Sequence, residues 1–277
     1  MHKLIMKQEL ALLCDFDGTI AKGDVGFRIY THFGDERWEE INKRWRKGEI
    51  SSKECLIGEY SFIDASEDEI KEFISDMEID TGFLDLVETC RENDIPVAIV
   101  SDGFDFYIKT LLEKYDIYGV EIYCNNLVFN GRKVELSFPY YDQGCGKCGN
   151  CKVLHVNKLK DEKKKVIYVG DGLSDKFASR SADVIFAKDE LMEYLESNGI
   201  EFNKFSCLGD VHKWLNEILA GNVELPSATY KCDKSLEDCP KSDQPEKEII
   251  KKRKMKKIEK NMGDEQRRYI IYYEWSE

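Results

Sequence analysis

Asp15 and Asp17 stand two residues apart in "CDFDGTI", at the end of the short apolar run "LALLCDF" (10–16). On a strand, side chains at i and i+2 lie on the same side of the pleat, so both carboxylates can face one ligand with room for a cation between them. That arrangement suits covalent chemistry at phosphorus. Asp15 attacks, a protonated Asp17 donates to the leaving oxygen and later activates water, and a divalent cation offsets the charge on nucleophile and phosphate. Taken alone, D-x-D after an apolar run also fits a turn or a fragment of a Ca2+ loop.

Three further clusters narrow the reading. In "VSDGF", Ser101 offers a hydroxyl, and Asp102 and Gly103 offer backbone amides that can face an anion at the start of the next helix. In "VGDGLSD", Asp171 can complete, with Asp15 and Asp17, an oxygen-ligand set for a hard cation, for which Mg2+ is the usual choice when the substrate supplies a phosphate oxygen. Gly172 permits a tight turn there, and Asp175 can join the metal shell through a water or orient Lys152. Lys152 itself would neutralise the phosphate and stabilise charge in an in-line transition state.

These residues need a scaffold that gathers them. "LALLCDF", "IPVAIVSDG" and "KVIYVGDG" each end in polar or Gly-containing turns, and helical patterns at 85–93 and 105–116 lie between them. The alternation predicts a doubly wound α/β domain with a parallel sheet, whose ligands bind beyond the C-terminal strand ends. Residues 22–80 break the pattern with several short amphipathic helices, an insert placed to cover the site. Asn130-Gly131, between two alternating apolar runs, predicts a two-residue hairpin turn and an antiparallel edge.

The order "DFDGT", "VSDG", Lys152, "GDGLSD" resembles the haloacid dehalogenase (HAD) superfamily of phosphotransferases over roughly residues 9–210. The resemblance implies a Rossmann-like core (1–21 and 81–221), a helical C1 cap (22–80) and a charged extension (222–277). It also implies Asp15 as nucleophile, Asp17 as acid/base, Ser101 and Lys152 as phosphate holders, and Asp171 with Asp175 at Mg2+. "DFDGTIAKGD" and "VSDGFDFYI" look like the phosphoserine phosphatase branch, where Asp24 replaces a cap glutamate that reads the substrate amine. "CGKCGNCK" and "VGDGLSDKFASRSADVIFAKDEL" look closer still to the 2-hydroxy-3-keto-5-methylthiopentenyl-1-phosphate phosphatases of methionine salvage, in which a basic residue often stands at the place of Lys188. The implied activity is hydrolysis of a small phosphorylated metabolite through an aspartyl-phosphate. The alternatives are a phosphoserine phosphatase-type enzyme and a non-catalytic protein that binds a phosphorylated ligand; the intact Asp17 argues against the second.

The rest of the chain sets bounds. A net charge of -13 over 277 residues argues against a general nucleic-acid binder. No apolar run reaches the length of a membrane span, and the opening residues do not form a signal peptide, so a cytoplasmic protein is expected. Residues 222–277, with 13 Lys and Arg against 12 Asp and Glu, are nearly neutral; "KKRKMKK" (251–257) reads as a solvated basic helix, and no partner for the extension can be named. Asp24 fits a helix N-cap as well as a specificity residue, and Arg28 could reach a substrate carboxylate or pair with Asp24 along that helix, the pair being favoured. His32, His155 and His212 read as surface or packing residues. Cys145, Cys148 and Cys151, just before Lys152, leave three readings open: a structural loop, a Zn2+ site completed by a distant thiol such as Cys124, or a redox site.

Overall fold

The computed structural model describes residues 10–225 and the backbone of two strands at 255–261 and 269–275. Strand β1 (Leu10–Cys14) is followed by four helices, α1 (Val25–Phe33), α2 (Trp38–Arg46), α3 (Ser52–Tyr60) and α4 (Glu67–Ile74). Next come α5 (Gly82–Glu92), β2 (Val97–Phe104), α6 (Asp105–Lys114), β3 (Glu121–Asn130) and β4 (Lys133–Ser137). The second half runs α7 (Lys152–Asp161), β5 (Lys165–Gly170), α8 (Lys176–Ser181), β6 (Val184–Ala187), α9 (Asp189–Ser197), β7 (Asn203–Lys204) and α10 (Leu208–Ala220).

Seven strands form one sheet in the order β4-β3-β2-β1-β5-β6-β7, parallel except for β4. Their apolar runs are central strands because helices cover both faces. Leu12, Cys14, Ile167 and Val169 enter the main core, while Leu13, Val166 and Tyr168 enter a second cluster with Val156 of α7 and Ala178 of α8. This is the period-two alternation of a sheet buried on both sides. Chain direction across the sheet reverses at β1, between β2 and β5, and the polar ends of these three strands meet there.

The insert forms helices for local reasons. Ser51–Glu54 and Ser66–Glu69 are capping boxes that open α3 and α4, and Asp24 caps α1. Its two stems are tied together: Lys22 N donates to Glu78 O at 2.8 Å and Asp80 N to Ile20 O at 2.8 Å. Val25, Ile29, Tyr60, Ile63, Ile70 and Ile74 bury into the same apolar cluster as β1 and β2, so this helical layer packs directly over the strand ends.

Two sequence expectations shift. The hairpin is present, but Asn130 pairs with Lys133, so Gly131 and Arg132 form its tip instead of Asn130 and Gly131; Gly131 takes the positive φ of +63°. In the extension, Met255–Asn261 pairs antiparallel with Tyr269–Trp275 as β8 and β9, so 255–257 are extended and not helical. The Tyr/Ile-rich second segment favours strand and supplies the partner. Residues 251–254, Cys232, Cys239 and the opening nine residues lie outside the described ones. Among the described residues no helix is long and apolar enough to cross a membrane.

Candidate active site

Lys152 opens α7, at the end of a helix where the macrodipole disfavours a cation. It is only 4% exposed, and Asp15 (5%) and Asp175 (0%) are buried with it, so its placement answers to these carboxylates and not to helix stability. Lys152 Nζ reaches Asp15 Oδ1 at 2.9 Å, Asp175 Oδ1 at 2.6 Å and Ser174 Oγ at 3.0 Å. Burial opposes its charge, but Asp15, Asp175 and Asp102 outweigh that and hold its pKa well above the usual lysine range. Asp175 is itself anchored: Tyr168 Oη donates to Oδ1 at 2.6 Å, and the amides of Asp171 and Gly172 donate to Oδ2 at 3.2 and 3.1 Å. Both roles open to Asp175 stay compatible with this geometry: it pairs with Lys152 and also lies beside Asp15 and Asp171.

Asp15, Asp171 and Asp175 each present an oxygen within 4.8 Å of the others. Burial, then repulsion from Asp175, pushes Asp15 well above the usual carboxylate range and Asp171 up to about 7. An all-oxygen, mutually repelling set of this size fits a hard divalent cation, which would relieve the repulsion. Thr19 Oγ1 donates to Asp171 Oδ1 at 2.6 Å and fixes it from the β1 side. A Cβ on Gly18 would stand 2.2 Å from Asp171 Oδ2, so only glycine lets that loop close over the cluster.

The Asp17 carboxylate is not in this set, contrary to its expected place as a metal ligand. Residues 15–17 leave the strand after Cys14, so the two side chains diverge. Asp17 Oδ1 accepts from Val25 N at 2.8 Å, and Oδ2 accepts from Tyr107 Oη at 2.8 Å. Burial, with repulsion from Asp24, pushes its pKa up to about 7 against these hydrogen bonds. A carboxyl so placed is able to hold a proton near neutral pH and to release it.

Gly103 protects that arrangement. A Cβ there would lie 1.9 Å from Tyr107 Oη and 2.7 Å from Asp17 Oδ2, and Tyr107 is buried and cannot step aside. Gly103→Ala is therefore expected to lower turnover by at least about 10-fold and stability by roughly 1–3 kcal/mol. Steady-state kinetics and a thermal melt check this; wild-type values for both would show that the Asp17–Tyr107 pair relaxes freely.

The expected anion-facing amides of Asp102 and Gly103 are placed differently. β2 runs through Phe104, so both belong to the strand and not to the first turn of α6, and Gly103 N donates to Ser101 Oγ at 2.9 Å. Ser101, 1% exposed, keeps its O–H to donate. Asp102 Oδ1 accepts from Asn150 N at 2.9 Å, and Asn150 Nδ2 donates to Ser101 O (2.9 Å) and Tyr123 O (2.7 Å). His155 holds Asn150 Oδ1 at 2.8 Å while stacked on Tyr123, and burial pushes its pKa down to about 4. Asn150 thus ties the loop before Lys152 to the Ser101 strand. Nothing in the spacing of the sequence pointed to it, or to Thr19, Tyr107, Tyr168 and Ser174.

The cysteine loop acts as a strut. Cys145 and Cys148 Sγ lie 3.4 Å apart and Cys151 is buried at the N-cap of α7, but the three do not form a set of ligand atoms within 4.8 Å. Cys124 is elsewhere, in the main core. Gly149 N donates to Ser52 Oγ at 2.9 Å, and Lys53 Nζ sits 3.5 Å over the Tyr141 ring, so the loop spans from α3 to Lys152. Asp24 caps α1 by accepting from Phe27 N at 2.7 Å. Arg28 pairs with Asp76 at 3.4 Å and not with Asp24, because it turns outward over the Phe73 ring. Lys188, next to α9, adds positive field at Asp171.

The chain has clear relatives. A family model described as putative phosphatase matches residues 10–220. The 2-hydroxy-3-keto-5-methylthiopentenyl-1-phosphate phosphatase of Lysinibacillus sphaericus is 34% identical over 224 residues, covering 78% of this chain and 98% of its own. That of Bacillus cereus is 33% identical over 214 residues, covering 76% and 97%. A solved phosphoserine phosphatase carrying a phospho-aspartyl intermediate analogue has the same fold, with a TM-score of 0.58, 20% identity, and 75% and 99% of the two chains covered.

Proposed function

The chain belongs to the putative phosphatase family within the HAD superfamily, and from that premise we propose that it hydrolyses a small phosphomonoester through an aspartyl-phosphate on Asp15. One observation carries the assignment of Asp15: the Phe16 amide, at 2.8 Å, and Lys152 both hold Oδ1, which leaves Oδ2 to attack. As the Oδ2–P bond forms, the ester P–O bond breaks, and Asp17 transfers its proton to the leaving oxygen. The Asp17 carboxylate then takes a proton from water, which attacks phosphorus and frees Asp15 and inorganic phosphate. Lys152 and the Ser101 hydroxyl hold the phosphoryl oxygens.

Asp15 and Asp171 would hold Mg2+, with Asp175 behind them, and the ion would screen carboxylate from phosphate as they approach. The named activity of the relatives makes the methylthio-ketose phosphate the first substrate to try, with phosphoserine as the control. A reducing cytoplasm suits the free thiols of the described residues.

Chelation tests the reading. Hydrolysis of p-nitrophenyl phosphate is expected to fall by at least about 100-fold in EDTA and to return with excess Mg2+. Turnover indifferent to EDTA would overturn the metal-assisted mechanism.

A further inference from the structure

The cysteine loop holds more than a strut requires. Gly146, between Cys145 and Cys148, takes a positive φ of +68° and turns the chain back. The Cys148 amide therefore donates to Cys145 Sγ at 3.4 Å, and the two sulfurs lie 3.4 Å apart. Both are half-buried thiols, whereas Cys14, Cys55, Cys90 and Cys124 are buried. Gly146 itself is exposed, and a Cβ on it would meet nothing within 4 Å, so the turn that carries the pair opens to solvent. Contact with Cys145, then burial, pushes the Cys148 and Cys151 thiols well above the usual range, so neither is the sulfur that reacts first. That leaves Cys145, with Cys148 in reach to resolve it. Zinc is a poorer occupant, because it takes four donors about one point and the three sulfurs do not gather so.

The pair is also coupled to the site. A Cβ on Gly144 would stand 2.2 Å from Cys151 Cβ, so the backbone entering the loop lies against the residue before Lys152. After Cys148, Gly149 N is held by Ser52 Oγ and Asn150 N by Asp102 Oδ1, both at 2.9 Å. Bonding the sulfurs draws them from 3.4 Å to about 2 Å, and the contraction falls on these contacts. Lys152, whose ammonium meets Asp15 at 2.9 Å and Asp175 at 2.6 Å, has little room for displacement.

We propose that Cys145 and Cys148 are a redox-modification site, oxidised by a peroxide to a disulfide that displaces Lys152 and reversibly slows hydrolysis. The Cys145 sulfur attacks hydrogen peroxide, the O–O bond breaks, hydroxide leaves with the thiol's proton as water, and a sulfenic acid remains. The Cys148 sulfur then displaces the hydroxyl from Cys145 and gives up its own proton, releasing a second water. Two thiols and one peroxide thus become one disulfide and two waters, and a dithiol reductant reverses the change. The effect on rate rests on the phosphatase reading above; the bond itself does not.

The test treats the full chain with hydrogen peroxide, removes the excess, and follows two readouts: mass mapping of alkylated peptides and hydrolysis of p-nitrophenyl phosphate with Mg2+. A link between Cys145 and Cys148 is expected, with turnover lowered by about 10-fold and restored by dithiothreitol. Cys145→Ser is expected to keep its turnover through the same treatment, and Cys148→Ser to stop at a sulfenic acid that dimedone traps on Cys145; either variant serves if the other fails to fold. No link, a link elsewhere in the chain, a link that leaves turnover unchanged, an equal loss in Cys145→Ser, or bound zinc that blocks the link would each overturn the proposal. A reduced wild type that hydrolyses nothing would instead sink the phosphatase reading and the rate effect, while the mass readout still decides whether the pair bonds.

Discussion

Asp15→Asn is expected to lower kcat by on the order of 10⁴-fold or more and to leave the fold intact. The amide oxygen of asparagine cannot form the acyl-phosphate, and no other carboxylate shares the position of Asp15 at the end of β1. Structure should survive because Lys152 keeps its 2.6 Å partner Asp175, and Phe16 N can still donate to an amide oxygen. Asp15 carries a strongly raised pKa from burial and from Asp175, so a neutral residue also relieves repulsion in the metal-free protein. The expected melting temperature without Mg2+ is equal to or above that of the wild type. Acid quenching of the wild type during turnover of a labelled phosphoester should trap label on Asp15, and the variant should trap none. Retained hydrolysis in purified Asp15→Asn would end the covalent mechanism.

The contrast between that residue and Asp17 shows what was legible in the sequence. Motif order predicted the α/β sheet, the helical insert and the elements carrying the site, because apolar runs ending in polar residues at strand spacing have few other uses. Side-chain direction was less legible. The i, i+2 rule placed Asp15 and Asp17 on one side of a pleat, but β1 ends at Cys14, and beyond it Gly18 at φ +77° turns the chain. Asp17 therefore meets Tyr107 and Val25 instead of the acidic cluster. Likewise Gly103 looked like an anion-binding amide, and its real constraint is steric, a contact with Tyr107 some four residues along but across a strand–helix corner. Asn150 and Thr19 were not legible, since each acts through a partner brought by a distant element. The cysteine spacing, the most conspicuous pattern in the chain, belongs to a loop that bridges the helical layer and Lys152.

Lys152→Ala separates the catalytic and structural parts of that bridge. Loss of the ammonium removes the positive charge facing the phosphate, and kcat/KM is expected to fall by about 10³-fold or more. It also leaves Asp15 and Asp175 facing each other, buried, without their shared cation. Breaking a buried pair from one side costs about 3–5 kcal/mol, so this variant, unlike Asp15→Asn, should melt lower than the wild type. The pH dependence follows from the sign of the shift. Asp15 already has a raised folded-state pKa, and removing Lys152 raises it further. A folded state that prefers the protonated acid loses stability as pH rises above the unfolded-state pKa and up through the folded one. Lys152→Ala should thus lose more melting temperature at pH 8 than at pH 5, relative to wild type, and excess Mg2+ should recover part of the loss at pH 8 by taking the place of the missing charge. Cys145→Ser provides the comparison: it alters the strut without touching the charge balance, so its effects on both rate and melting should be small and independent of pH. Equal pH profiles for Lys152→Ala and Cys145→Ser would mean that the lysine serves chiefly to hold the loop, and that the phosphate's countercharge comes from elsewhere.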